Sequence, residues 1–175
     1  MRELVYSVAT SLDGFIAGPN GEYDWIIQDP TMDFGEIFRQ FDTVVMGRRS
    51  YELILREGRS PKEFGMKVFV ASTTLHAAEH RDVTIIAADL AKTIVELKRI
   101  SGKNIWLFGG GTIFRGLLDD GVVDRVEVSI IPVLLGGGIP LVPAGPSWPL
   151  LFKDSRTFPS GIVSLSYAIP VKPQL

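Results

Sequence analysis

The chain predicts an α/β fold on a mixed, mostly parallel sheet, and three observations carry that prediction. Apolar, partly β-branched runs alternate with helical periods from residue 4 to residue 118. Each return between those runs takes a dozen or more residues, the length a parallel crossover needs. After Asp119 the helical period stops, and Val126, Val128 and Ile130 alternate with Glu127 and Ser129, as do Val163, Leu165, Tyr167 and Ile169 with Ser164, Ser166 and Ala168. That alternation is the mark of strands with two unlike faces, so an antiparallel hairpin closes the sheet.

Residues 4–10 form the first expected strand. Residues 11–29 follow as a long loop holding Asp13-Gly14, Gly18-Pro19 and Asn20-Gly21, all turn-forming pairs. A loop of that length in a compact domain is more often functional than filler. Residues 33–41 place Phe34, Ile37, Phe38 and Phe41 on one helical face. Strands are expected at 43–46, 67–71, 83–87 and 104–108, and helices at 48–55, 90–100 and 112–118. The closing strands fall at 126–130, 152–158 and 163–169, the last two joined by Pro159-Ser160-Gly161.

Composition narrows the function. One domain spanning 1–175 is the simplest division, with 46% hydrophobic and 22% charged residues and a formal net charge of -2. No basic cluster exceeds Arg48-Arg49, which argues against nucleic acid as a partner. The absence of cysteine excludes disulfides, cysteine nucleophiles and thiolate metal sites in this chain. No apolar stretch reaches the roughly 20 residues of a membrane span, and the N-terminus lacks a signal-peptide run. A cytoplasmic location without membrane association is the expectation.

Two segments share one design, a buried strand that meets glycine and enters a helix at once. They are Val44-Val45-Met46-Gly47-Arg48-Arg49-Ser50-Tyr51 and Ile105-Trp106-Leu107-Phe108-Gly109-Gly110-Gly111-Thr112-Ile113. Free amides at a helix start, together with the helix dipole, favour anions. Arg48 and Arg49 add guanidinium groups that bind phosphate bidentately, which favours NADP over NAD if the ligand is a dinucleotide. Neither segment fits the common dinucleotide fingerprint or the nucleotide-triphosphate loop. His76-Ala77-Ala78-Glu79-His80 matches a metalloprotease string but lies in a short polar connection, so no metal site is expected there. Trp25 either lines a substrate pocket or anchors the long loop, and Gly136-Gly137-Gly138 is read as a wide turn.

Four ordered motifs carry a family likeness: Ser11-Leu12-Asp13-Gly14-Phe15-Ile16-Ala17, Val45-Met46-Gly47-Arg48-Arg49-Ser50-Tyr51-Glu52, Phe108-Gly109-Gly110-Gly111-Thr112, and Val128-Ser129-Ile130-Ile131-Pro132-Val133-Leu134-Leu135-Gly136-Gly137-Gly138. The chain resembles the dihydrofolate reductase-like superfamily over essentially its full length. Within it, the chain looks most like the branch shared with the reductase domain of bifunctional riboflavin-biosynthesis deaminase–reductases. The resemblance implies a three-layer fold with an eight-stranded, mostly parallel sheet between helices, NADPH as cofactor, a small-molecule substrate and a homodimer. It implies that Ala9 and Ile16 border the nicotinamide and that Gly47, Arg48, Arg49 and Ser50 hold phosphate. Ser72 and Thr73 would flank the adenosine end, while Gly109, Gly110, Gly111, Thr112 and Ile113 wrap the pyrophosphate and the nicotinamide ribose.

The likeness is incomplete in two places. Dihydrofolate reductases carry an acid on the helix after the long loop. Asp33 is the candidate here for catalysis and substrate binding, about 40° around the helix from Ile37, and a plain helix cap explains it equally well. The riboflavin-pathway enzymes usually show lysine after Asp-Gly in the first motif, where this chain has Phe15. The expected activity is hydride transfer from NADPH to a small pterin- or pyrimidine-like acceptor bordered by Trp25, Asp33 and Ile37. The alternatives are the riboflavin-pathway reduction of 5-amino-6-(5-phosphoribosylamino)uracil and a non-catalytic nucleotide sensor.

Overall fold

Successive apolar residues on the central strands point to opposite sides, and both sides are buried, so the sheet must be covered by helices above and below. The computed structural model, which describes residues 1–170, shows this arrangement. The elements run β1 (Leu4–Ser11), β2 (Phe15–Ala17), α1 (Phe34–Arg39), β3 (Phe41–Gly47), α2 (Arg48–Arg56), β4 (Lys67–Ala71), β5 (Thr84–Ile86), α3 (Leu90–Arg99), β6 (Asn104–Gly109), α4 (Gly111–Asp119), β7 (Arg125–Ile131), β8 (Ile139–Pro140), β9 (Leu151–Thr157) and β10 (Val163–Ala168). Eight strands form one sheet in the order β5-β4-β3-β6-β1-β7-β10-β9. The pairs from β5 through β7 are all parallel, and β10 is antiparallel to both β7 and β9.

One face packs Leu4, Tyr6, Val45, Ile105 and Leu107 against Ile94 of α3 and Phe114 and Leu117 of α4. The opposite face packs Val5, Val44, Met46, Val68, Val70 and Trp106 against Tyr51 and Ile54 of α2. A smaller cluster of Met32, Ile131, Phe158 and Ile162 sits under the long loop, with Ala9, Trp25 and Ile37 against it. No helix among the described residues is long and apolar enough to cross a membrane.

The expected elements are all present, with ends that coincide or shift by one or two residues. Three differences have physical causes. The stretch 11–29 holds β2, whose partner is β8; strands of three and two residues are too short to show a period. Phe41 closes no helix but opens β3, where it is buried. The expected apolar face of α1 buries none of its own residues: Phe38 lies over Trp106 with ring centroids 4.9 Å apart, and Phe34 stays open.

Asp29, a buried carboxylate, joins the long loop to the far hairpin. It accepts from Thr31 N at 2.8 Å, Thr31 Oγ1 at 2.5 Å and Ser160 N at 2.8 Å. The hydrogen bonds from Ser160 and Thr31 hold its carboxyl well below the ordinary aspartate range. A depressed folded value means the stabilisation is complete above about pH 4 and is lost as pH falls below that. Asp29→Asn should therefore lower Tm at neutral pH and flatten the loss of Tm between about pH 4 and pH 2. Thermal melts across that range check this, and an unchanged acid limb would refute it.

Candidate functional site

All six parallel strands end on one rim, where an open α/β sheet offers its crevice. At its centre β3 and β6 pair with Met46 opposite Gly109, so the two strand–glycine–helix turns are immediate neighbours. α2 starts from Gly47 and α4 from Gly110, and neither start is capped by a side chain. Two sets of free first-turn amides therefore face the same rim. Gly110 has φ 91°, a backbone that glycine adopts without strain. The turns also interlock. A Cβ on Gly47 would lie 2.7 Å from Ile113 Cδ1, and one on Gly109 would lie 3.7 Å from Ser50 Oγ.

On the outer side β4 ends at Ala71, opposite Gly47, and the chain turns through Ser72, Thr73 and Thr74. Buried Ser72 shapes that turn by accepting from Thr74 N at 3.2 Å and Leu75 N at 3.1 Å. Arg48 Nη1 donates to Thr74 Oγ1 at 2.8 Å and Nε lies 3.6 Å from Glu52, so its guanidinium is held over the turn. A cavity of about 500 Å³ opens here, lined by Arg48, Ser72, Thr73, Thr74, Asp89, Leu90 and Ile113. A second, of about 430 Å³, shares Asp89, Leu90 and Ile113 and continues along Gly116 and Leu117. Arg49 and Thr112 are exposed on the first turns of α2 and α4.

On the inner side β1 carries Ala9 to the rim. Ala9 pairs with Ser129 of β7 and Ser129 with Ser164 of β10, the two hydroxyls 3.1 Å apart. Ile37 and Trp25 pack on the same small cluster as Ala9, and Trp25 Nε1 donates to Glu22 O at 3.0 Å. Trp25 thus anchors the loop against this cluster. Asp33 caps α1 by accepting from Glu36 N at 2.9 Å, and its other oxygen lies 3.4 Å from Arg39 Nη2. The Glu36 amide, helped by the Arg39 charge, keeps its carboxyl below the ordinary value.

The long loop reaches the glycine turn through the small sheet. Ile16 lies on β2, which pairs with β8. A Cβ on Gly138 would strike the carbonyl oxygen of Ala17, and one on Gly111 would lie 2.9 Å from Pro140 O. β8 therefore fits closely between β2 and the start of α4. Asp13 fastens the pair from outside, accepting from Ser11 Oγ at 2.6 Å, Leu135 N at 3.1 Å and Gly136 N at 2.7 Å. These bonds, the one from Ser11 foremost, lower its carboxyl below the ordinary range. Sequence reasoning took Asp13-Gly14 as a turn and as part of the first family motif and missed this tie; the partner amides lie more than a hundred positions away. It also missed Asp89, Ser129 and Ser164, whose contributions depend on strand register. The His76–His80 string flanks a short 3-10 turn, with His80 Nδ1 3.0 Å from Tyr51 Oη.

An eight-stranded sheet of this order, with glycine-started helices side by side on its parallel rim, has the dihydrofolate reductase-like fold. Residues 2–164 match the family model of the RibD C-terminal domain, and the chain belongs to that family of riboflavin-biosynthesis reductase domains. It is 35% identical over 178 residues to YyaP of Bacillus subtilis (strain 168), which is uncharacterised; the match covers 95% of this chain and 94% of YyaP. Its structure resembles that of a proposed riboflavin biosynthesis protein from Shewanella sp. PV-4, with a TM-score of 0.81, 26% identity and coverage of 97% and 99% of the two chains. The deaminase/5-amino-6-(5-phosphoribosylamino)uracil reductase of Thermotoga maritima shares the fold, with a TM-score of 0.72 at 17% identity over 97% of this chain and 57% of that one.

Proposed function

We propose that this chain is an NADPH-dependent reductase that delivers hydride to a small, planar heterocycle of the pterin or pyrimidine class. The observation that carries the reading is the pairing of Met46 with Gly109, which brings two uncapped helix starts together beside Arg48 and an open cavity. Two neighbouring sets of main-chain amides suit the pyrophosphate of a dinucleotide. The cation at Arg48, with the Ser72–Thr74 hydroxyls, suits an additional phosphate on the adenosine ribose. Gly47, Arg49, Ser50, Gly110, Gly111 and Thr112 complete that grip, and Ala9 and Ile16 border the nicotinamide. NADPH when bound supplies the hydride; this chain orients both partners and keeps water away.

The acceptor would lie over Ala9, between the open faces of Phe34, Phe38 and Ile37 on one side and the Ser129 and Ser164 hydroxyls on the other. Trp25 closes its outer edge. Asp33, an aspartate ionised at neutral pH and lowered further by the Glu36 amide, offers a hydrogen-bond acceptor and not a proton. The proton that completes the reduction is then assigned to solvent. Family membership supports a second, narrower reading, in which the acceptor is the phosphoribosylaminouracil of riboflavin synthesis. Phe15 stands where that branch usually has lysine, and its main chain is taken up with Ser11 and β8. We therefore rank the wider class first. We further assign a homodimer contact to the edge strand β9, where Leu151 and Phe152 are exposed; a monomeric mass in light scattering would overturn that contact.

Titration of tryptophan fluorescence with NADPH and NADH tests the cofactor directly. Wild type should bind NADPH more tightly than NADH. Arg48→Ala should weaken NADPH by about tenfold or more while changing NADH little, as expected for one charge-assisted phosphate contact. No binding of either would remove the reductase reading, and tight binding without turnover on pterins, pyrimidines and quinoid compounds would favour a sensor. Asp33→Asn retains a helix cap, so Tm should hold within about 2 °C. Its kcat/KM should fall by about tenfold at most, with the pH profile of kcat unmoved. Loss of the fall in kcat toward higher pH would instead make Asp33 the proton donor.

A further inference from the structure

Alternate residues of a strand share a side, so β7 sets Arg125, Glu127 and Ser129 in line on the face that carries the acceptor space. Val126 and Val128 between them pack into the core on the other face. Glu127 stands opposite Ser7 of β1 and Ser166 of β10, one step below the Ala9–Ser129–Ser164 row. Two residues of strand separate the rows, about 7 Å. Trp106, under Phe38 of α1, donates to Ser7 O at 2.9 Å, so this lower row adjoins the helix that walls the acceptor space. Asp33 of that helix is engaged as its cap, which leaves Glu127 as the acid set in the floor.

The charge opposite Glu127 is divided. Arg125 Nε lies 3.3 Å from Glu127 Oε1, yet that buried nitrogen completes no hydrogen bond. Arg125 Nη2 instead donates to Gln40 Oε1 at 2.9 Å and lies 3.5 Å from Glu3 Oε2. One guanidinium is thus shared between two carboxylates and an amide, and compensates neither carboxylate fully. The groups around Glu127 are Ser7 and Glu3 from β1, Arg125 from β7, Gln40 from α1 and Ser166 from β10, with Asp154 of β9 opposite that serine. Burial, the largest cause, pushes the Glu127 carboxyl above the ordinary glutamate range; Arg125, Ser7 and Gln40 oppose the rise and Glu3 adds to it. The side chain keeps 22% of its surface exposed, so water can still reach it.

We propose that Glu127 is a further catalytic residue of this site, the acid that hands a proton to a ring nitrogen of the acceptor as hydride reaches the adjoining carbon. The inference rests on the reductase reading above, and gives the proton drawn from solvent a holding point in the floor. As the new C–H bond forms, the C=N π bond breaks onto nitrogen, the nitrogen takes the carboxyl proton, and water returns one to the carboxylate. Infrared difference spectra between wild type and Glu127→Gln, recorded across pH without cofactor, should show a carboxyl titrating above the ordinary midpoint of about 4.3. Arg125→Gln removes the opposing charge and should move that midpoint higher. With NADPH and a dihydropterin as the probe acceptor, Glu127→Gln should lower kcat by about tenfold or more and abolish its fall toward higher pH. Arg125→Gln should carry that fall to higher pH. A carboxyl that titrates at or below the ordinary midpoint overturns the proposal. So does a Glu127→Gln profile that drops evenly and keeps its fall, the mark of a merely structural group. NADPH binding, followed by tryptophan fluorescence, separates the two readings: either adverse result in a protein that binds NADPH leaves the cofactor reading standing, and a protein that binds none loses both.

Discussion

The parallel register that sets Met46 against Gly109 determines where every free amide on the rim can stand. A slip of one residue would turn the valines and Met46 of β3 toward the wrong helices, since neighbouring residues face opposite sides. That register is held by Val44 and Met46 packed on one face and Val45 on the other. At the opposite end Arg2 is buried against Asp42, Thr43 Oγ1 and Lys103 O, tying β1, β3 and the approach to β6 together. Stability is thus concentrated in the strands and at their N-terminal ends. The C-terminal rim carries the starts of α2 and α4, which no side chain caps.

Such a rim would be costly if it were covered by apolar side chains, because a buried amide without an acceptor loses its hydration for nothing. The molecule keeps Arg48, Arg49 and Thr112 of the two first turns exposed, and uses glycine where the turns approach. Ile113 over Gly47 and Ser50 beside Gly109 show how tightly α2 and α4 are nested there. The same nesting brings Ile113 to the wall of both cavities, so one side chain both packs the turns and lines the space beside them.

Much of this was legible in the chain itself. Uninterrupted apolar runs locate the central strands, whose residues are buried on both faces, and apolar–polar alternation locates β7 and β10. The glycine turns and Arg48 stand out because their chemistry is local and their cost is visible in the sequence. What was not legible depends on partners distant along the chain. β2 and β8 acquire strand character only from each other. Ser129 and Ser164 become a pair only through the β7–β10 register. Asp89 looks like an ordinary helix cap until its backbone turns left-handed. The apolar stripe of α1 is a different case: the period was right, but periodicity cannot tell a face packed on the core from one left open at a site.

The Asp13 carboxylate and the close seat of Gly138 on Ala17 make one body of two segments that are over a hundred residues apart. Neither stretch can drift or be redrawn alone. Shortening the connection after β7 would pull the carboxylate from its two amides, and lengthening the turn after β1 would push Ala17 into the glycine backbone. Chimeras between relatives of this chain should for that reason exchange both segments together, as a matched set of loop lengths.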